Sequence, residues 1–278
     1  MNEIVWKAAR VVMEAEALVV SAGAGMGVDS GLPDFRGDQG FWKAYPPFAR
    51  LGLSFVDMAN PYWFANDPTL AWGFYGHRLN LYRETHPHDG FGILLRWARS
   101  KPGGCFVFTS NVDGQFQTAG FDEDAVVECH GSIHYLQCAG PCGRHIWAAG
   151  GVRVEVDEST MRAAAPLPGC NRCGGLARPN VLMFGDWSWL PARTSEQERR
   201  FQEWLIENRS RPTAVIECGA GRAVPTVRAT SERIAAGQDA VLVRINVREP
   251  EVPRGHIGIA HGALDTLRRI DECMRAGG

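Results

Sequence analysis

No stretch of this chain stays apolar for the roughly 20 residues that a bilayer crossing needs. An excess of one charge is missing too: 29 Lys and Arg stand against 31 Asp and Glu, a net charge of −2. That balance gives no general drive toward nucleic acid or an anionic membrane, although the plentiful arginines leave room for a local basic groove. There is no internal repeat and no low-complexity tract, so neither a repeat array nor a biased tail is indicated. The first residues, Met1-Asn2-Glu3-Ile4-Val5-Trp6, lack the basic-then-apolar order of a secretory leader. The expectation is a soluble, cytoplasmic protein.

What is present fits one large domain or one domain with a small insertion. The chain has 278 residues, of which 45% are hydrophobic, enough for a sizeable core. The start reads as an amphipathic helix with Ile4, Val5, Ala8, Val11, Val12 and Ala15 on one face. Short apolar runs at Ala17–Val20, Cys105–Thr109, Ala125–Glu128, Thr213–Cys218 and Ala240–Ile245 read as strands. Helical stretches such as Gly90–Ser100 and Glu196–Asn208 lie between them. This alternation predicts an α/β fold, a doubly wound parallel sheet that binds ligands beyond its strands' carboxyl ends.

The first strand runs into Ala22-Gly23-Ala24-Gly25-Met26-Gly27, then Ser30-Gly31-Leu32-Pro33-Asp34-Phe35-Arg36. Small residues after a strand let backbone N–H groups approach a phosphate. The acid, aromatic and cation that follow suggest chemistry on the nucleotide as well as binding. Taken alone, Gly-x-Gly is equally a generic turn.

Eight cysteines include two tight pairs, Cys138/Cys142 and Cys170/Cys173; Cys105, Cys129, Cys218 and Cys273 are dispersed. In a reducing compartment tight pairs mean metal more often than disulfide. Four thiolates match a closed, structural zinc site, with His145 as a competing ligand. The same spacing also fits a zinc ribbon that binds nucleic acid.

Together these motifs resemble the sirtuins, NAD-dependent protein-lysine deacylases, over nearly the whole chain from Ala17 to about Asp265. Gly23, Ala24 and Gly25 with Asp34, Phe35 and Arg36 look like the family's NAD loop. Thr109-Ser110-Asn111-Val112-Asp113 is similar to its Thr-Gln-Asn-Ile-Asp stretch, so the resemblance puts Ser110, Asn111 and Asp113 at the nicotinamide and its ribose. A capped turn before a helix is the other reading of that stretch. His130-Gly131 matches the catalytic His-Gly, with His134 the nearest competitor. In the implied reaction the acyl oxygen attacks the nicotinamide-ribose carbon and nicotinamide leaves. A neutral imidazole at His130 then suits deprotonation of a ribose hydroxyl. Gly219, Ala220 and Gly221 resemble the loop near the phosphates and adenine ribose, and Asn246 matches the position at that ribose. The zinc module sits in the family's place, after the catalytic histidine.

On the substrate side, Pro179-Asn180-Val181-Leu182-Met183-Phe184-Gly185-Asp186 resembles the segment that pairs with the peptide, which puts Met183, Phe184 and Gly185 at the substrate. Tyr75 and Arg78, three apart on one helix face, resemble the Tyr-x-x-Arg of sirtuins that remove succinyl, malonyl or glutaryl groups. A core tyrosine beside a surface arginine is the plain alternative. The sequence departs from the family at Gly27, Ser110, Gln115-Phe116, Ala220 and Asp186.

The expected organisation is a Rossmann-like NAD-binding domain from residues 1–40, 85–136 and 177–278. A flexible loop and helical insertion at 41–84 and a zinc-binding module at 137–176 complete it. The expected cofactors are NAD as co-substrate and one structural Zn2+. The expected partners are acyl-lysine proteins or peptides, with no membrane and no nucleic acid. Two other functions stay open. One is a sirtuin-fold NAD hydrolase or ADP-ribosyltransferase; the peptide segment and Tyr75/Arg78 argue against it. The other is a non-catalytic NAD-sensing or nucleic-acid-binding zinc protein; His130 and Pro33-Asp34-Phe35-Arg36 argue against that.

Overall fold

The structure, a computed structural model, describes residues 2–33, 37–140, 142–237 and 239–277. Three apolar runs of the amino-terminal half become strands β1 (Ala17–Ala22), β2 (Cys105–Thr109) and β3 (Val126–Glu128). There follow β4 (Gly131–Cys138), β5 (Ile146–Ala148), β6 (Val156–Asp157), β7 (Arg162–Ala163) and β8 (Ala177–Val181). The last three are β9 (Thr213–Cys218), β10 (Ala240–Ile245) and β11 (Ile257–Ile259).

Six of these form one sheet in the order β11-β10-β9-β1-β2-β3, and every pairing in it is parallel. The chain winds outward from β1 to β3, then returns to start again at β9 on the other side of β1. The carboxyl ends of β1 and β9 therefore flank the switch point, where a doubly wound sheet opens a crevice.

Burial follows the period of two. Leu18, Val20, Ala22, Ala214, Ile216, Val243 and Ile245 face one way and share a core with Val5, Ala8, Val12, Leu94 and Leu267. Those partners come from α1 (Asn2–Glu14), from a helix over Asp89–Arg99 and from one over Ala263–Gly277. Val19, Phe106, Phe108, Val127, Val215 and Leu242 face the opposite way, against Phe201, Leu205, Val227 and Ile234 of helices Ala192–Glu207 and Thr226–Gly237. Both faces are covered, which is why these strands read as unbroken apolar runs.

A second core lies beside this sheet. Residues 37–66 form four short helices, α2 (Gly37–Ala44), α3 (Pro46–Arg50), α4 (Phe55–Met58) and α5 (Tyr62–Asn66). Ser54 and Asp57 close a capping box on α4, and Pro46 opens α3. The long helix α6 (Pro68–Glu84) is buried almost all round, so it carries no amphipathic signature. It packs on β4, β6, β7 and β8, and its cluster joins Phe41, Phe48, Trp72 and Tyr75 to Ile133, Val154, Met161 and Val181. The antiparallel sheet β5-β4-β8 brings the two cysteine pairs together, with Cys138 opposite Ala177.

Two glycines make this packing possible. A Cβ at Gly73 would stand 1.9 Å from the Met161 carbonyl oxygen, and one at Gly76 2.5 Å from Val154. In an open helix interior, Gly to Ala gains about 1 kcal/mol. At Gly73 the sign should reverse: Gly73→Ala is expected to cost about 2 kcal/mol through overpacking. The midpoint of urea unfolding reads this directly, and a raised midpoint would contradict the packing described.

Candidate active site

The site is assembled at the carboxyl ends of β1, β2, β3, β9 and β10. Gly23 follows β1, and its N–H donates to the Cys218 carbonyl at 3.0 Å, while the Gly25 N–H donates to the Gly219 carbonyl at 3.1 Å. The two loops touch so closely that side chains are excluded. A Cβ on Gly23 would lie 2.7 Å from Ala220 Cα, and one on Gly219 2.4 Å from the Gly25 carbonyl carbon. Gly219 also has φ 65°, where glycine is at ease. Ala24 opens a single 3-10 turn, Ala24–Met26, in place of the long helix that usually follows this strand. Gly221 stands at an open edge, with only Glu249 Oε2 near a Cβ position. Asp34, Phe35 and Arg36 lie outside the described residues.

The turn after β2 is tied to the first loop. Ser110 N–H donates to the Ala22 carbonyl at 3.1 Å, and Asn111 Nδ2 donates to the Gly23 carbonyl at 3.1 Å. Asp113 is buried and accepts from the Gln115 N–H at 3.0 Å. Burial pushes its pKa up to about 6 against that hydrogen bond; Glu128 adds to the rise and Arg78 opposes it. His134 stands beneath this turn, its Nε2 2.8 Å from the Asp113 carbonyl oxygen. A carbonyl can only accept, so that nitrogen carries the proton. His134 thus supports the turn through Nε2.

His130 follows β3. Its carbonyl accepts from the Leu182 N–H at 2.9 Å, which couples it to the end of β8. Gly131 must be glycine, since φ is 76° and a Cβ would stand 2.1 Å from the Asn180 carbonyl oxygen. Burial lowers the His130 pKa below its ordinary value of 6.5, while a hydrogen bond to the Ser110 backbone pulls the other way. The imidazole is therefore neutral at pH 7, the form a general base needs.

Asn246, after β10, closes the far side. Its Nδ2 donates to the Ala220 carbonyl at 2.7 Å, and its Oδ1 accepts from the Arg248 and Glu249 N–H groups at 3.0 and 3.1 Å. The residues available to NAD here are one buried carboxylate, two amides and glycine-bearing loops at a switch point. That donor set fits a dinucleotide.

Tyr75 and Arg78 are both buried on α6. The Arg78 guanidinium lies 5.1 Å from the Phe74 ring, 5.3 Å from Tyr82, 5.7 Å from Tyr75 and 6.0 Å from Phe55. Its Nε donates to Tyr82 Oη at 2.9 Å. Tyr75 Oη is buried and has no hydrogen-bond partner among the described residues. Phe184 rests edge-on against Phe55 at 6.2 Å, and Phe55 also faces Arg78, so residues 183–186 and the arginine share one wall. Met183 is buried beside Arg178, and Gly185 turns the chain at φ 67°. Asp186 meets Arg178 at 2.5 Å in a fully buried pair that fixes this turn.

The sequence did not single out Arg178 or Tyr82. Tyr82 stands four residues beyond Arg78, on the same helix face, so its spacing was a usable signal. Arg178 sits in a strand that looks too polar to be buried, and only its partner explains it.

The four cysteine sulfurs lie within 4.8 Å of one another. Cys138 and Cys173 are 3.7 Å apart, and Cys142 and Cys170 3.6 Å. Tetrahedral zinc with bonds of about 2.3 Å puts sulfurs about 3.8 Å apart, so the four fit that ion. His145 is not in the cluster; its Nε2 is 3.3 Å from Asn171 Nδ2 and its ring stacks on Trp147. A closed four-thiolate site leaves no open position for substrate, so the ion's part is structural.

Fold and site together define an NAD-dependent α/β enzyme stapled by a zinc module. Residues 23–203 match the model of the Sir2 family. A curated relative from Thermus thermophilus, named NAD-dependent protein deacylase, is 32% identical over 259 residues, covering 91% of this chain and 89% of its own. Another of that name, from Aeropyrum pernix, is 32% identical over 201 residues, covering 72% and 70%. A solved Sir2 homologue in complex with ADP-ribose aligns with a TM-score of 0.72 at 25% identity, over 98% of this chain and 96% of that one. The chain belongs to the Sir2 family.

The depressed His130 pKa sets a direction. With substrates saturating, turnover should fall on the acid side as the imidazole gains a proton, with a midpoint below 6.5. His130→Ala should lose at least about 100-fold in turnover, the scale of a general base, with the melting temperature unchanged. An acid midpoint above 7, or full turnover in the variant, would remove His130 from this role.

Proposed function

We propose that this protein removes acyl groups ending in a carboxylate, such as succinyl, malonyl or glutaryl, from protein lysines. The products are nicotinamide and the O-acyl-ADP-ribose. The coarser activity, NAD-dependent protein deacylation, is that of the family to which the chain belongs. A cytoplasmic setting is part of the proposal.

NAD, when bound, supplies an electrophilic ribose carbon that takes up the acyl oxygen as nicotinamide departs. Asn111 and Asp113 hold the nicotinamide side, with Ser110 beside them. Gly23, Ala24 and Gly25 hold the phosphates. Gly219, Ala220, Gly221 and Asn246 flank the adenosine. His130 accepts a proton from a ribose hydroxyl. Met183, Phe184 and Gly185 receive the peptide by backbone pairing, which tolerates many sequences.

One observation carries the acyl preference. A buried hydroxyl without a hydrogen-bond partner among the described residues, Tyr75 Oη, shares its helix face with a buried guanidinium. Burial pushes the Tyr75 pKa up to about 12, so the phenol keeps its proton to donate. A cation and a donor there offset the cost of burying a ligand carboxylate.

The test is Arg78→Met assayed on matched succinyl- and acetyl-lysine peptides. Succinyl turnover should fall about 100-fold in kcat/KM, the scale of a charged hydrogen bond, with acetyl turnover changed less than about fivefold. Tyr75→Phe should move the same ratio in the same direction and is the gentler change. Equal losses on both peptides would make Arg78 a core cation held by its rings and leave only the coarser activity.

A further inference from the structure

The sheet contains a buried charge cluster that acyl transfer does not use. Arg244 of β10 and Glu217 of β9 are register partners, and both side chains are fully buried. Arg244 grips Glu217 with Nε at 2.5 Å and Nη2 at 3.0 Å, and Nη2 also meets Glu232 at 2.9 Å. Its Nη1 crosses to the Glu251 carbonyl at 2.5 Å. Arg228 works beside it: Nη1 donates to the Glu249 carbonyl at 2.8 Å and the Ala220 carbonyl at 3.4 Å, and Nη2 to the Glu251 carbonyl at 3.1 Å.

The carbonyls reached by these two arginines lie on two loops, 219–223 after β9 and 246–253 after β10. These are the loops that Asn246 also ties together. A buried ion pair between strands is an inefficient way to hold a sheet, because an apolar pair of similar volume serves as well or better. An apolar pair cannot donate to a loop carbonyl. The cluster's distinctive output is therefore support for the loop after β10, with Arg228 alone also reaching the loop after β9 at Ala220.

We propose that Arg244 and Arg228 are positioning residues for the adenosine end of NAD: both hold the loop after β10 in place, and Arg228 ties it to the loop after β9 at the width that end requires. Glu217 and Glu232 orient Arg244 so that its remaining donor faces the loop. This rests on the reading that Gly219–Gly221 and Asn246 flank the adenosine. Neither arginine is asked to touch the reacting atoms. Loss of this support removes binding felt equally by ground and transition states, which raises KM and leaves kcat alone.

Arg244 alone cannot be cut without stranding Glu217, so the test uses Glu217→Val/Arg244→Leu, which replaces the pair by apolar residues. Wild type and variant are compared for ADP-ribose binding by calorimetry and for steady-state kinetics with an acyl-lysine peptide. The dissociation constant for ADP-ribose and the KM for NAD should rise together by about tenfold. The kcat and the peptide KM should stay within about twofold. A folded double variant with wild-type ADP-ribose affinity overturns the proposal. So does a parallel loss in kcat and peptide KM, which would mean general damage. Should the double variant not fold, Arg228→Met carries the test, since it leaves the Glu217–Arg244 pair intact. It predicts the same split, and unchanged ADP-ribose affinity overturns the proposal. A wild-type protein that does not bind ADP-ribose would instead defeat the NAD reading on which the proposal stands.

Discussion

The contact between the loops after β1 and β9 is the constraint on which the site depends. These strands are parallel neighbours in register, with Ala22 opposite Cys218. Their loops leave the sheet side by side and have to pass through almost the same space. Glycine at 23 and at 219 is what permits it, because a Cβ on either would enter the other loop. Once the loops are locked, the remaining parts follow by hydrogen bonds. The Gly23 carbonyl receives Asn111, and the Ala22 carbonyl receives Ser110. Ser110 in turn orients His130, and Ala220 receives Asn246. The glycines thus act first on protein packing, and the nucleotide cradle is a consequence of that packing.

The second core does a different job. Helix α6 holds Tyr75 and Arg78 buried, and residues 183–186 follow β8, so the substrate side of the proposed reaction lies where these two elements meet. The four cysteines hold the module that packs against α6. Zinc held by them would act at a distance from the reaction, by keeping β4 and β8 paired. Gly73 and Gly76 let β7 and the residues around Val154 lie flat on the helix. A buried cation in such a wall is expensive unless rings and hydroxyls surround it, and four rings do.

The main sheet was legible wherever both faces of a strand are covered, because such strands become short apolar runs. β11 was not, since three residues after a Pro- and Gly-bearing loop carry no pattern. β4 and β8 were hidden by their polar residues: Gln137, Arg178 and Asn180 are buried, each bonded to a specific partner that a linear reading does not reveal. Helix α6 lacked the usual period because it is buried almost all round, with polar residues among the buried ones, and α2–α5 are too short to show one. The four cysteines were legible from spacing alone. Asn246 was placed correctly at the end of its strand, but its work in joining two loops appears only in three dimensions. Residues 34–36, the most distinctive part of the first motif, lie outside the described residues.

The central claim is that NAD cleavage here is coupled to an acyl-lysine and that His130, Arg78 and the two glycine loops serve that one reaction. The most direct measurement is nicotinamide release by the wild-type protein with NAD alone, with an acetyl-lysine peptide and with the matched succinyl-lysine peptide. The account predicts release that depends on peptide and is fastest with the succinyl form. Release at the same rate without any peptide would contradict it and make the protein an NAD hydrolase.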